Sequence, residues 1–152
     1  MKVTVLKDVM IDAGQIDRYF EGKVPVNLWR GIKKKTGKGV FDFVETTYVL
    51  SNGKPRPSDI TIHSGYVFVK DAPRGVSVFN KSGVPKGDGW EYFLIPAGTD
   101  LPPGLAIIKD HYNKNLEATH YTIAPKMDML LVVFKRLLQS FLEEILRKRK
   151  AG

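Results

Sequence analysis

The chain contains no cysteine. This absence excludes a disulfide framework, a thiol nucleophile, an iron–sulfur cluster and a cysteine-ligated zinc site. Histidine is nearly as scarce: the sequence has three, His63, His111 and His120, and no pair has the i, i+4 spacing of a zinc-binding helix. We therefore expect no metal site.

Long apolar segments are also absent. No run reaches the roughly 18 apolar residues of a membrane-spanning helix, so no membrane partner is expected. The first eight residues carry Lys2, Lys7 and Asp8 where a signal peptide needs its apolar stretch, and no Sec signal is visible. The expected location is the cytoplasm, including that of a target cell entered without such a signal. A length of 152 residues favours a single domain over residues 1–152.

Acidic residues are outnumbered, with 16 Asp and Glu against 24 Lys and Arg. The excess lies in two clusters, residues 33–35 with Lys38 and residues 147–150, because removing these eight cations leaves 16 charges of each sign. Such clusters suit contact with nucleic acid, an acidic protein or the phosphates of a dinucleotide. The simpler interpretation is a solvated loop and a frayed helix end.

Two common catalytic signatures are missing from the chain. Residues 35–39 combine glycine with lysine but lack the glycine–lysine frame of a Walker loop. No Gly-x-Ser-x-Gly elbow is present, which disfavours an α/β-hydrolase.

Short β-rich segments separated by turn residues dominate the middle of the chain. The predicted strands there are residues 60–62, 66–69, 76–79, 92–95, 106–109 and 118–123. Because no long helix separates them, antiparallel pairing is expected, since parallel neighbours need crossovers of about a dozen residues. The predicted elements before them are strands at 3–6, 27–32, 41–44 and 46–50, a helix at 12–21 and a surface loop at 51–58.

The period of the apolar residues changes after Pro125. From Met127 to Ile145 they recur at steps of three and one, which predicts a helix with one apolar face. We expect that face to pack on the sheet, with binding to a partner as the alternative. The predicted fold class is α+β, a curved or split antiparallel sheet with a long C-terminal helix.

Four segments of the second half carry a family resemblance. They are residues 75–79, 95–103, 110–114 and 118–123. Their residues and order resemble the small toxin effectors of bacterial type VI secretion typified by the second exported effector of Pseudomonas. The resemblance covers about residues 56–150, extends weakly to 27–32, and is most specific over 112–123. It implies an ADP-ribosyltransferase-like fold, a cytotoxic effector with a cytosolic target, and an immunity protein that neutralises it.

The resemblance also implies NAD as the substrate and assigns residues to a cleft. In that fold family an Arg or His on the first core strand holds the ribose or a phosphate, and a Ser on the second braces the site. Arg30 fits the first role, Gly31 the adjacent backbone contact to the nicotinamide amide, and Ser77 the second role. Phe79 and Tyr121 are candidates for stacking on NAD, although aromatic strand residues usually belong to the core. Val76 stands where the resemblance implies a threonine, so that hydroxyl contact is not expected.

The third role in such a cleft is stabilisation of the positive charge that develops on the ribose. Glu117 and His120 are both candidates. In a regular strand that includes residue 117, alternation directs Glu117 away from His120, so one strand face cannot present both. We favour His120, which lies inside the best-matching segment, with Glu117 as a possible helper.

Two other functions fit the same residues. The basic clusters allow an RNA-directed transferase or RNA-binding protein on the same scaffold, and the apolar helix allows a non-enzymatic toxin that blocks a partner. The acceptor of ADP-ribose is not identifiable from the sequence, and nucleic acid is among the candidates.

Overall fold

The computed structural model describes residues 2–151 of the chain. Its helices are α1 (Leu6–Asp12) and α2 (Leu131–Ala151), with a short 3-10 turn at Ile16–Arg18. Its strands are β1 (Tyr19–Phe20), β2 (Leu28–Lys33), β3 (Tyr48–Val49), β4 (Pro55–Arg56), β5 (Thr61–His63), β6 (Tyr66–Phe68), β7 (Val76–Phe79), β8 (Trp90–Ile95), β9 (Leu105–Asn113), β10 (Ala118–Pro125) and β11 (Met129–Leu130).

A six-stranded sheet in the order β1–β9–β10–β7–β2–β8 forms the centre of the fold. A three-stranded sheet, β11–β6–β5, and the hairpin β3–β4 accompany it. The pairings between these strands are antiparallel. The α+β class with antiparallel sheets and a long C-terminal helix is therefore confirmed.

The central sheet is split between β2 and β7. These two strands are joined by one residue pair, Trp29 with Phe79. By contrast, β2 pairs with β8 over its whole length, and β7 pairs with β10 along all four of its residues. With so little backbone hydrogen bonding between them, the two halves of the sheet separate beyond Trp29 and leave a gap.

Both faces of the sheet are covered by a helix. The apolar stripe of α2, Phe134, Leu138, Phe141 and Ile145, is buried against residues of β7, β9 and β10. On the opposite face, α1 packs through Leu6 and Met10 on Ala106, Ile108 and Ala124. The interpretation of the stripe as core is thus confirmed from Leu131 onward. The predicted start of the helix at Met127 is wrong, because Met129 and Leu130 pair with β6 as strand β11 and α2 begins only at Leu131.

Residues 3–21 differ from the sequence prediction. The strand predicted at 3–6 is wrong, because α1 begins at Leu6 and Val5 forms a single bridge with Met127. The helix predicted at 12–21 is also wrong: α1 ends at Asp12, and Tyr19–Phe20 pairs with β9. Tertiary contacts decide this segment, since Leu6 and Met10 gain burial on the sheet only when residues 6–12 are helical.

Residues 41–50 were predicted as two strands, and most of that prediction is wrong. Residues 41–44 form a loop, and only Tyr48–Val49 pairs, with β4 inside the predicted loop at 51–58. Phe41 and Phe43 pack on α2 instead. The ring of Phe41 stacks on Phe141 with centroids 5.5 Å apart, and the ring of Phe43 lies 5.6 Å from Phe134.

Candidate functional site

A cleft of about 950 Å³ opens at the split between β2 and β7. Its walls come from β2, the end of β7, the segment at 38–50, the loop between β7 and β8, and one side of α2. Four of the predicted site residues line it: Arg30, Gly31, Ser77 and Phe79. The split of the sheet is therefore the feature that creates the candidate site.

Gly31 allows the loop after β7 to close one side of the cleft. A Cβ atom at this position would lie 2.7 Å from Cδ of Pro85 and 3.1 Å from the carbonyl oxygen of Val84. The Tyr92 hydroxyl donates a hydrogen bond to the Pro85 carbonyl, which holds that loop in place. A side chain at position 31 would push the loop away, so glycine is needed here for close packing.

Arg30 links the segment at 38–50 to β7 across the gap. Its Nε donates to the carbonyl oxygen of Val40 at 3.1 Å, and its two terminal nitrogens donate to those of Ser77 at 2.8 Å and Asp42 at 2.6 Å. Burial lowers the pKa of Arg30 from its usual value, while the charge of Asp59 opposes that shift. Three of the five guanidinium N–H groups are thus used by the protein's own backbone, and two are left for a ligand.

The three bonds of Arg30 predict a stability effect. Replacing Arg30 with lysine exchanges a planar guanidinium that donates to three carbonyl oxygens for a single ammonium group, which cannot reach all three. We expect the free energy of unfolding to fall by about 2 to 4 kcal/mol, because hydrogen bonds to a charged group contribute about 1.5 to 3 kcal/mol each. Urea denaturation measures this, with Arg136→Lys on the exposed side of α2 as the matched control. Equal urea midpoints for Arg30→Lys and Arg136→Lys would contradict the role of Arg30 in linking the segment at 38–50 to β7.

The register of the sheet places Ser77, Phe79 and His120 on one face. Ser77 pairs with Thr122 and Phe79 pairs with His120, and paired residues project to the same side of a sheet. Alternation along β2 puts Arg30 on the other face, the side covered by α2. The Ser77 hydroxyl and the His120 imidazole are therefore on one face of the sheet. The Arg30 guanidinium reaches the gap between β2 and β7 from the other face.

His120 is on β10, the strand next to β7, and is not among the residues that line the cleft. Several neighbours hold its side chain. Its Nδ1 is 2.7 Å from Oδ2 of Asp110, and the Thr122 hydroxyl donates to the same oxygen at 2.6 Å. The imidazole stacks on His111 with centroids 5.3 Å apart and meets the ring of Phe79 edge-on at 5.1 Å. Through Phe79, this cluster is in contact with the wall of the cleft.

Glu117 and Tyr121 are not placed at the cleft. Glu117 is exposed in the turn before β10, with a φ of 50°, so it is outside the strand that carries His120. Tyr121 is 5% exposed, within the core on the α2 side. Burial raises the pKa of the Tyr121 hydroxyl. The ring of Tyr121 packs in the core between the sheet and α2, and Tyr121 is not among the residues that line the cleft.

The lining of the cleft is rich in cations. Lys33 and Lys38 from the first basic cluster line it, together with Arg56 and Lys135. Acidic residues contribute Asp42, Glu45 and Asp59, and Glu45 forms an ion pair with Lys135.

The second basic cluster lies apart from the cleft, in the last turns of α2. There the guanidinium of Arg149 sits 4.8 Å above the ring of Phe93. The first cluster therefore belongs partly to the site, and the second belongs to a helix end.

Sequence reasoning missed two contributions to this site. Lys135 of α2 reaches the cleft from the polar side of a helix whose apolar face alone was interpreted, as core packing or as a partner-binding surface. Asp110 stands inside a segment that carried the family resemblance, yet its link to His120 was not predicted. A hairpin register for residues 105–125 would have indicated that link, because it sets Asp110 near His120.

Residues 2–151 also bear on membrane and metal binding. Neither helix there has both the length and the apolar character needed to cross a bilayer. Over the same residues, no group of three or more His, Asp and Glu side chains is arranged to hold a metal ion.

Comparison with known proteins places the chain among toxins. A family model described as "Tse2 ADP-ribosyltransferase toxin" matches residues 9–152. The chain is also 45% identical over 76 residues to a protein named Toxin Tse2 from Pseudomonas aeruginosa. That alignment covers 49% of this chain and 47% of the toxin, so it spans about half the length of the relative it matches.

Proposed function

The chain belongs to the Tse2 ADP-ribosyltransferase toxin family, and on that premise we propose that it is a cytotoxic enzyme that transfers ADP-ribose from NAD. The resemblance predicted from residues 75–123 is thereby confirmed at the level of the family. The observation that carries the proposal is the cationic cleft at the split of the sheet, lined by Arg30, Gly31, Ser77 and Phe79.

The cleft fits a dinucleotide in size and chemistry. Its volume of about 950 Å³ lies at the upper end of the range for small-molecule sites. Lys33, Lys38 and Arg56 supply positive charge for a diphosphate. Trp90 and Phe79 supply aromatic surface for a planar ring. The residues present therefore fit NAD.

NAD supplies the ADP-ribosyl group, and nicotinamide leaves when its bond to the ribose breaks. In the proposal, Arg30 uses its two remaining N–H groups to hold a ribose hydroxyl or phosphate. The backbone at Gly31 contacts the nicotinamide amide, and Ser77 braces the floor of the cleft beside it. Phe79 stacks on the bound molecule and separates it from the core of the sheet.

His120 is the proposed polar group that acts on the reacting ribose. Its side chain shares a sheet face with Ser77 and contacts Phe79, which lines the cleft. A neutral imidazole can accept a hydrogen bond from a ribose hydroxyl or take up a proton. Glu117 remains the second candidate for this role. Because it is in the exposed turn before β10, its carboxylate would have to approach the ribose from the solvent side of the cleft. Tyr121 is restricted to a supporting role by its burial.

The biological setting follows from the family and is part of the proposal. We propose that residues 1–152 form a single toxin domain delivered into the cytoplasm of a target cell by type VI secretion. A dedicated immunity protein would neutralise it there. The acceptor would be a cytosolic molecule, with nucleic acid among the candidates because Lys33 and Lys38 lie at the mouth of the cleft.

Release of nicotinamide from NAD by the purified chain tests the proposed activity. We expect release that is saturable in NAD, because the cleft is formed by the folded protein without further components. A chain that arrests growth yet releases no nicotinamide would overturn the proposal in favour of a toxin that blocks a partner. Salt-sensitive retention of RNA on filters would favour the RNA-directed alternative, since phosphate contacts weaken steeply as salt rises.

A further inference from the structure

We propose that Asp110 is a positioning residue that holds His120 in one tautomer and one orientation. The inference rests on the proposed function, because it concerns the residue assigned to the reacting ribose. It adds a residue to which the family resemblance assigns no role and which does not line the cleft. Three observations carry it: the hydrogen bonds to one carboxylate oxygen, the irregular register of β9 against β10, and the rings that pack on the imidazole.

The hydrogen bonds determine which imidazole nitrogen carries the proton. A carboxylate can only accept hydrogen bonds. Oδ2 of Asp110 lies 2.7 Å from Nδ1 of His120 and accepts from the Thr122 hydroxyl at 2.6 Å. Nδ1 must therefore carry a hydrogen, and in the neutral imidazole Nε2 is left as the acceptor. An unprotonated Nε2 is the form that can accept a hydrogen bond or a proton from a substrate hydroxyl.

The register of the β9–β10 hairpin explains why Asp110 reaches this position. Thr119 pairs with Tyr112, but Tyr121 pairs with Lys109, so two residues of β9 oppose His120 alone. This is a β-bulge, a feature that re-aims side chains and often stands beside functional sites. It brings Asp110 to the edge of the imidazole and His111 to its face at once.

The carboxylate and the ring are both held in place. The guanidinium of Arg18 donates to the backbone carbonyl of Asp110 at 2.7 Å, which ties β9 down at the bulge. The imidazole is bounded by the His111 ring at 5.3 Å and the Phe79 ring at 5.1 Å. Packing fixes the position and the ring orientation of His120. Its tautomer is then determined by the hydrogen bond to Asp110.

Nitrogen-15 NMR of the histidine rings tests the inference directly. Cell-free synthesis with labelled histidine avoids toxicity, and the chain has three histidines to assign, so His63→Gln and His111→Gln identify the signals. We expect the wild-type His120 to show a protonated Nδ1 and an unprotonated Nε2. In Asp110→Ala we expect the majority form to change to protonated Nε2. A wild-type His120 with protonated Nε2 would overturn the inference without any variant.

Nicotinamide release then connects the tautomer to activity. We expect Asp110→Ala to lower the rate on the order of 10- to 100-fold, by analogy with the loss that follows when the carboxylate partner of a metal-ligating histidine is removed. The matched control is Asp12→Ala, an exposed carboxylate at the end of α1 that is not part of the cleft. A folded Asp110→Ala protein that keeps the wild-type tautomer, or the wild-type rate, would overturn the inference. A wild type that releases no nicotinamide would defeat the proposed function instead, while the spectrum still decides the tautomer.

Discussion

Replacing His120 with alanine is expected to lower nicotinamide release on the order of 100- to 10,000-fold and to abolish growth arrest in an expressing bacterium. The reason is that the imidazole is the polar side chain assigned to the ribose, on the same sheet face as Ser77. Its hydrogen bond to Asp110 and its contact with Phe79 hold it in one place, and alanine at this position leaves no group that can accept a proton. Rates of release from equal amounts of folded protein measure the effect.

His63→Gln is the matched control for the His120 experiment. His63 is exposed at the end of β5 and is not among the residues of the cleft, so the wild-type rate is expected. Glu117→Gln decides between the two candidates for the third role, and we expect a smaller loss than for His120→Ala. Undiminished growth arrest by His120→Ala would remove His120 from the mechanism, and a larger loss for Glu117→Gln would transfer the role to that residue.

Replacing Gly75 with alanine is expected to lower the free energy of unfolding by about 3 kcal/mol or more, as in severe overpacking. A Cβ atom on Gly75 would lie 2.0 Å from the carbonyl oxygen of Ile123 and 3.3 Å from Cα of Ala124. These are backbone atoms of β10, so no rotation of a side chain relieves the overlap. The amide of Gly75 also donates to the Asp59 carbonyl at 2.9 Å, which restricts movement of the strand that carries Ser77.

Thermal unfolding measures the Gly75 effect. For a domain of this size, each kcal/mol lowers Tm by about 2 to 4 °C, so a decrease on the order of 10 °C is expected. Gly89→Ala is the matched control, because a Cβ atom there meets no atom within 4 Å. A Gly75→Ala protein that melts at the wild-type temperature would show that β7 and β10 are not packed as described.

The strands at the centre of the fold could be predicted because their pattern is local. Alternating β-branched and aromatic residues bounded by turn residues identified β7 and β10, and α2 followed from a helical period. The N-terminal segment could not be predicted in this way. Residues 3–6 alternate like a strand, yet the burial of Leu6 and Met10 on the far side of the sheet favours a helix. Such contacts come from residues about 100 positions away and leave no local signal.

The candidate site was predictable only in part, for a similar reason. Arg30, Gly31, Ser77 and Phe79 were assigned through the resemblance, and the structure brings them to one cleft. Their assignment did not indicate what their atoms contact. The guanidinium of Arg30 was assigned to holding the ribose or a phosphate of NAD, but backbone carbonyls take three of its donors. Hydrogen-bond partners of this kind depend on where a distant loop packs.

The amino-acid sequence by itself determined the kind of molecule: a cysteine-free α+β chain with antiparallel strands, a long amphipathic C-terminal helix and the residues of a toxin family. The class and the helix follow from composition and short-range periodicity, and the family follows from the resemblance of particular segments; folding alters none of these. The tertiary structure alone decided the split between β2 and β7, and the bulge that sets Asp110 against His120. Both depend on the register between strands, and register is chosen by the packing of the whole sheet between its two helices.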